Sequence, residues 1–397
     1  PVRQDSDFYY LSAFAEPDSV LVLVPGRKHG ECILFCRERD SVREAWDGPR
    51  AGPEGAVADY GMDDAFPIGD LDDILPNLME GRPRIFYTLG RNPGFDNQVL
   101  GWVNDVRAQS AQQNRSAEEF VSLEHVLHDM RLYKSRSELG ALSRAAKLAV
   151  AGHKRAIGFV RPGCYEYEVA AEFLYTLQRK RSTPSYLPIV GSGPNACVLH
   201  HVSNNRKIED GDLILMDAGA EVDYYASDIT RTFPANGRFS SAQRALYEVV
   251  LDAQEQAIAA VAPGISSQAP HEIAAERIAY GLVDLGIIKG SIEECLEQET
   301  YKAFFMHKSS HWLGMDVHDV GDYQVDGQPR LLEAGMVMTI EPGVYISPSA
   351  KGVAKRWRGI GIRIEDDNAI TRDGHRVLSE GLPKGIDDME ALVGSSH

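Results

Sequence analysis

Asp210-Gly211-Asp212-Leu213-Ile214-Leu215-Met216-Asp217-Ala218-Gly219 has a counterpart later in the chain, Ala334-Gly335-Met336-Val337-Met338-Thr339-Ile340-Glu341-Pro342-Gly343. Each stretch opens on a glycine turn and runs through an apolar segment that reads as a buried strand. Each ends on an acid with a glycine two residues beyond, so glycines and acid fall in register. Upstream, Arg161-Pro162-Gly163 precedes a helix expected at about 165–180, and Ala262-Pro263-Gly264 precedes one at about 268–286. This part of the chain reads as two copies of one unit: helix, Pro-Gly turn, helix, then strands bearing an acid. Two such halves predict a pseudo-symmetric α/β (α+β) domain, a sheet backed by helices with the matching acids converging on one face.

The acids carry the chemistry. Between Asp217 and Asp228 lie Gly219 and Tyr224-Tyr225, which suit a hairpin, and antiparallel pairing would bring both carboxylates to one face. Glu341 and Glu365 repeat the arrangement across a longer connection containing Lys351, Lys355, Arg356 and Arg358. A single acid at a strand end is ordinarily a surface or capping residue. Four in paired hairpins are not, because buried like charges repel unless cations lie between them. In Met306-His307-Lys308-Ser309-Ser310-His311-Trp312-Leu313-Gly314-Met315-Asp316-Val317-His318-Asp319, three histidines offer one further ligand and two proton-handling groups. Asp217, Asp228, His311, Glu341 and Glu365 thus match an oxygen-rich ligand set for two divalent cations, with manganese or another first-row divalent ion fitting better than a structural zinc. Two cations close together can hold a bridging hydroxide and polarise a carbonyl, which points to hydrolysis of an amide bond. His200-His201 follow the turn-like Gly191-Ser192-Gly193-Pro194-Asn195. That turn has neither a P-loop lysine nor dinucleotide-binding spacing.

Composition narrows the class. The 397 residues exceed one ordinary core, so two domains are expected, 1–125 and 126–397. A net charge of −17 argues against nucleic acid as a partner, and short basic clusters such as Arg179-Lys180-Arg181 read as solvated helix ends. No apolar run approaches the roughly 20 residues that span a bilayer, so no membrane partner is expected. Five scattered cysteines make no disulfide framework and suggest a reducing, cytoplasmic setting. Cys32 and Cys36 resemble half a zinc site with no second pair.

The first domain reads as α/β. Ser19–Val24, Ile33-Leu34-Phe35 and Ile85–Thr88 are strand candidates, and the Gly- and Pro-rich 47–56 stretch is expected to be a loop. Ser116 with Glu119 reads as a capping box leading into a short helix. Ser137 reads as the cap of a helix with Leu139, Leu142, Ala146, Ala149 and Val150 on one face.

Taken together these strings resemble the "pita-bread" metallopeptidases: methionine aminopeptidase, prolidase and aminopeptidase P. Ser227-Asp228-Ile229-Thr230-Arg231-Thr232-Phe233, His307–Gly314, Thr339-Ile340-Glu341-Pro342-Gly343 and Gly359–Asp366 are most similar to bacterial-type aminopeptidase P, as is Arg3-Gln4-Asp5-Ser6-Asp7-Phe8 near the start. The resemblance implies a small N-terminal α/β domain and a C-terminal pita-bread domain. It implies release of an N-terminal residue that precedes proline. Asp228 and Glu365 would bridge two metals, Asp217 would bind one, and His311 with Glu341 the other. Manganese is implied, with cobalt, zinc or magnesium as substitutes. Glu341 would also be the general base, His318 would stabilise the tetrahedral intermediate, and His307 would contact the scissile region. His200 and Arg363 would position substrate. Trp46 matches an aromatic of the substrate pocket, against the alternative of a core tryptophan. The resemblance further implies a homo-dimer or homo-tetramer acting on peptides with proline second.

The family's N-terminal domain usually starts about 40–50 residues before the position of Pro1. Lys308 stands where relatives usually carry a small residue such as glycine. Prolidase, which would share every ligand but demand a dipeptide, is the nearest alternative. A binding protein that keeps the fold is another, although such relatives lose ligands. Methionine aminopeptidase generally lacks so large a preceding domain.

Overall fold

In the computed structural model, which describes residues 3–109 and 116–395, the chain divides between Leu127 and His128 into two units. In the first, strand Cys32–Cys36 is central: it pairs antiparallel with Val20–Leu23 and parallel with Asp64–Pro67. Ile33 and Phe35 on that strand bury against Leu71, Leu75, Val99 and Trp102. Two expectations fail in this unit. Much of the expected 47–56 loop is the start of helix Gly52–Tyr60, because Pro53 stands in its first turn, where no amide donor is needed, and Gly61 closes it in the left-handed conformation. Ser116 and Glu119 cap no helix. Glu119–Val121 is instead a strand pairing in parallel with Arg84–Phe86, and the next helix begins at Leu123.

In the second unit, helix Arg136–Phe159 buries Leu142, Ala146, Ala149 and Val150 on one face, as their spacing predicts. Its cap is Ser135 rather than Ser137. Ser135 Oγ accepts from the Glu138 amide, and the Glu138 carboxylate accepts from the Ser135 amide at 2.7 Å, a reciprocal pair that Ser137 cannot form. Helix Glu166–Gln178 follows, then the sheet Ile189–Ser192, Leu213–Asp217 and Thr230–Pro234, antiparallel throughout.

The second half repeats this plan. Helices Ser241–Ala259 and Ala269–Asp284 precede strand Val337–Ile340, which pairs antiparallel with Asp366–Thr371. Tyr247, Val250, Ala253, Ala257, Ile278 and Leu282 form the helical side of a core whose other side is Met338, Ile340, Ile362 and Ile364. Each large aliphatic buried there stabilises by roughly 1.5–3 kcal/mol. The Pro-Gly turns are equivalent in detail. Gly163 N–H donates to Ile208 O and Gly264 N–H donates to Leu332 O, each at 2.8 Å and each with φ in the left-handed region.

The halves are sewn together by hydrogen bonds. Glu365 N–H donates to Thr230 O at 3.1 Å, and Thr232 Oγ1 bonds both the amide and the carbonyl of Arg363. Gly361 lies so close to the first half that a Cβ there would sit 2.1 Å from Ala196 O. Among the described residues no helix is long and apolar enough to cross a membrane.

Candidate active site and metal centre

Strand register decides where the acids point. Asp217 is the last residue of its strand and faces Thr230, so Asp228, two residues earlier, lies diagonally across from it. The Asp228 amide donates to Asp367, at 3.2 Å to Oδ1. In the second half Ile340 faces Asp366, which places Glu341 and Glu365 at the same end of their pair. His311 is laced to the strand that leads to Glu341: Thr339 N–H donates to His311 O, and His311 N–H donates to Thr339 Oγ1. All five side chains line one cavity of about 600 Å³, together with His200, His307, His318 and Arg363.

Asp228 Oδ2 lies 3.3 Å from His311 Nε2, and Glu341 Oε1 lies 3.7 Å from the same nitrogen. His311 Nδ1 donates to Trp312 O at 2.9 Å, which leaves the Nε2 lone pair available to a ligand. Donor atoms of Asp228, His311 and Glu365 all lie within 4.8 Å of one another. Arg363 holds the assembly from behind. Its guanidinium reaches Asp217 Oδ2 at 2.5 Å, Tyr345 Oη at 2.8 Å and Thr230 Oγ1 at 3.2 Å. Tyr345 Oη is in turn 3.0 Å from His307 Nε2, while His307 Nδ1 donates to Lys308 O at 2.8 Å. The His318 ring packs edge-on against His311, with centroids 4.4 Å apart.

The electrostatics call for positive charge. Burial, then Asp228, pushes the Glu365 carboxyl well above the carboxylate range. Burial lifts Glu341 to about 7 despite His311 and Arg363 nearby. Burial also raises Asp217, against the pull of Arg363. On Asp228 burial is the largest single influence, but the hydrogen bond and charge of His311 together with Tyr186 and Arg363 outweigh it, and its carboxyl is lowered. His311, against burial, is raised to about 9 by Asp228. Burial and then Arg363 lower His307 to about 4, and burial and then His311 lower His318, so both rings are neutral at pH 7. Four crowded carboxyl groups share one guanidinium and one imidazole, and the raised values of Asp217, Glu341 and Glu365 mark a demand for further positive charge; the donors are oxygens with one imidazole nitrogen. That set fits divalent cations.

Of the residues assigned above to the metals or the substrate, Trp46 alone stands outside the second unit. It is 85% exposed on helix Ser41–Asp47, so it is not a core tryptophan. Sequence reasoning missed Tyr186, whose hydroxyl touches Asp217 and lies 2.5 Å from Asp228 Oδ1. It also missed Tyr345, the role of Thr230 in donating to Glu365, and a neutral wall of Ser267, Gln268 and His271. Only Thr230 carried a signal, sitting two residues from Asp228 in an alternating strand.

Residues 140–372 match metallopeptidase family M24, and residues 1–87 match the aminopeptidase P N-terminal domain. The Xaa-Pro aminopeptidase of Escherichia coli (strain K12) is 41% identical over 395 residues, spanning 99% of this chain and 89% of that one. The solved structure of the Pseudomonas aeruginosa aminopeptidase PepP superposes with a TM-score of 0.98 at 54% identity, covering 100% of this chain and 90% of that one. A zinc-substituted E. coli aminopeptidase P in complex with product superposes with a TM-score of 0.96 at 41% identity, again covering 100% and 90%.

Proposed function

The chain belongs to metallopeptidase family M24, in its aminopeptidase P group, and on that premise we propose that it removes the N-terminal residue from peptides whose second residue is proline. It is a hydrolase, a metal-dependent aminopeptidase. The cofactor in this reading is a pair of divalent cations, manganese in the cell, with cobalt, zinc or magnesium able to substitute. Asp228 and Glu365 would be shared by both ions, Asp217 would complete one, and His311 with Glu341 the other. Such ions supply a water nucleophile ready at neutral pH and polarise the scissile carbonyl.

The rest falls to side chains of this protein. The end of the cavity lined by the candidate ligands receives the free N-terminal amine of the peptide, which is how an exopeptidase reads a chain terminus. Glu341 takes the proton of the attacking water. His318, neutral beside His311, donates to the oxyanion of the tetrahedral intermediate. His307, held by Tyr345 and the Lys308 carbonyl, contacts the departing side, and His200 orients the peptide. Arg363 acts through Asp217 and Tyr345 and is a positioning residue. Trp46 is assigned to substrate contact, and the working enzyme is a cytoplasmic homo-dimer or homo-tetramer.

One observation carries this reading: donors from both halves, Asp228 from the first with His311 and Glu365 from the second, lie within 4.8 Å of one another. Metal analysis of the purified protein, followed by assays on Xaa-Pro-Yaa tripeptides and Xaa-Pro dipeptides, tests it. Two equivalents of metal and cleavage of the tripeptide are expected. Cleavage of the dipeptide alone would identify a prolidase instead.

A further inference from the structure

One stretch of the cavity wall differs in character from the acid cluster. It is formed by Ser267, Gln268, His271 and Lys308, with Glu272 at its edge. Lys308 is exposed there, and among the described residues it has no carboxylate within 4.0 Å. Gln268 caps helix Ala269–Asp284, whose N-terminal end brings positive partial charge to the same wall. Ser267 belongs to this wall at 4% exposure, and its hydroxyl has no protein partner. Ser309 N–H donates to His271 Nδ1 at 3.2 Å, which leaves the ring proton on Nε2 as a further donor.

Glu272 is the opposing charge, and it loses. Burial lowers His271 first, and Lys308 lowers it by more than Glu272 raises it, so at this ring the lysine outweighs the glutamate. With the scissile bond held at the candidate ligands Asp217, Asp228 and Glu365, the part of the peptide beyond proline leaves past the remaining wall. Lys308 is the cation it meets there.

We infer that Ser267, Lys308 and the start of helix Ala269–Asp284 form a carboxylate subsite, which selects peptides with a negative charge just beyond proline. The charge is either the free C-terminal carboxylate of a short peptide or an acidic side chain. The inference rests on the proposed proline-directed aminopeptidase activity and adds a preference to it.

The manganese-loaded full chain is assayed on Xaa-Pro-Yaa as free acid and as C-terminal amide, and on amidated peptides with Glu or Gln after proline. The acidic member of at least one pair is expected to show about three- to fivefold higher kcat/KM, through KM, the range of one partly exposed ion pair. The preference should shrink with salt. In Lys308→Met the acid-to-neutral ratio falls to about one, and in Lys308→Glu it inverts. A preference confined to the acid–amide pair identifies a terminal carboxylate as the ligand, and one confined to the Glu–Gln pair an acidic side chain. Equal ratios in wild type and Lys308→Met would overturn the subsite while leaving the proposed function intact. Cleavage confined to Xaa-Pro dipeptides would overturn the proposed function, and with it a subsite placed beyond proline.

Discussion

Thr230 and Glu365 come from opposite halves of the duplicated domain, and Thr230 Oγ1 donates to Glu365 Oε2 at 2.6 Å. The carboxylate at the centre of the site is therefore aimed by a hydroxyl it does not share a half with.

Thr230→Val keeps the shape and removes that donor. Partners of this kind behind a metal ligand are worth about 10- to 100-fold in metal affinity or activity. A loss in that range is expected by metal titration and by kcat, with Thr230→Ser restoring most of it. Unchanged metal affinity in Thr230→Val would show that Glu365 is oriented by something else.

Metal removal should read out as stability. Ions at about 100 times their Kd would add roughly 2.7 kcal/mol to the folded state. By scanning calorimetry, chelated protein should melt several degrees lower, and manganese should restore the midpoint. Asp228→Ala, lacking the acid closest to His311 Nε2, should show no such recovery.

His153 supplies a pH dependence outside the metal site. It is fully buried, and its Nε2 donates to Ala218 O at 2.9 Å while its Nδ1 is unpartnered, the pattern of a neutral ring. Burial holds it at about 4, against an ordinary 6.5. The unfolded chain therefore takes up this proton first as pH falls. The stability it contributes is complete above pH 6.5 and is lost as pH falls through about 4, a total of roughly 3 kcal/mol. Urea midpoints at pH 5 and 7.5 should draw closer together in His153→Gln.

Gly361→Ala tests the seam between the halves. The added methyl would meet the backbone at Ala196, which cannot rotate away, so a loss of more than about 3 kcal/mol or failure to accumulate folded protein is expected. Gly69→Ala, where a Cβ meets nothing within 4 Å, is the control and should melt near wild type.

The candidate ligands were legible because Asp217, Glu341 and Glu365 end or follow apolar strands inside a repeated pattern and Asp228 stands just before one, a context that leaves a carboxylate few other uses. Their convergence was legible for the same reason: matched registers in two halves point matched side chains to one face. Tyr186 and Tyr345 were not. Each is a single aromatic whose role depends on contacts that no local periodicity encodes, as does the Thr230–Glu365 bond across 135 residues. In the first unit, glycine and proline between Gly48 and Gly55 read as a loop, although Pro53 was starting a helix and Gly61 was ending it. Phe120-Val121 was too short a run to announce a strand, since its partner Ile85-Phe86 lies far back in the chain.

The division of the five candidate ligands also bears on dissection of the molecule. Asp217 and Asp228 precede the exposed Asn236–Arg238 turn, and His311, Glu341 and Glu365 follow it. A protein severed at that turn would yield two pieces, each with an incomplete cage. Their complementation would then answer to the supply of divalent ions, making reconstitution itself an assay for which element the cage prefers.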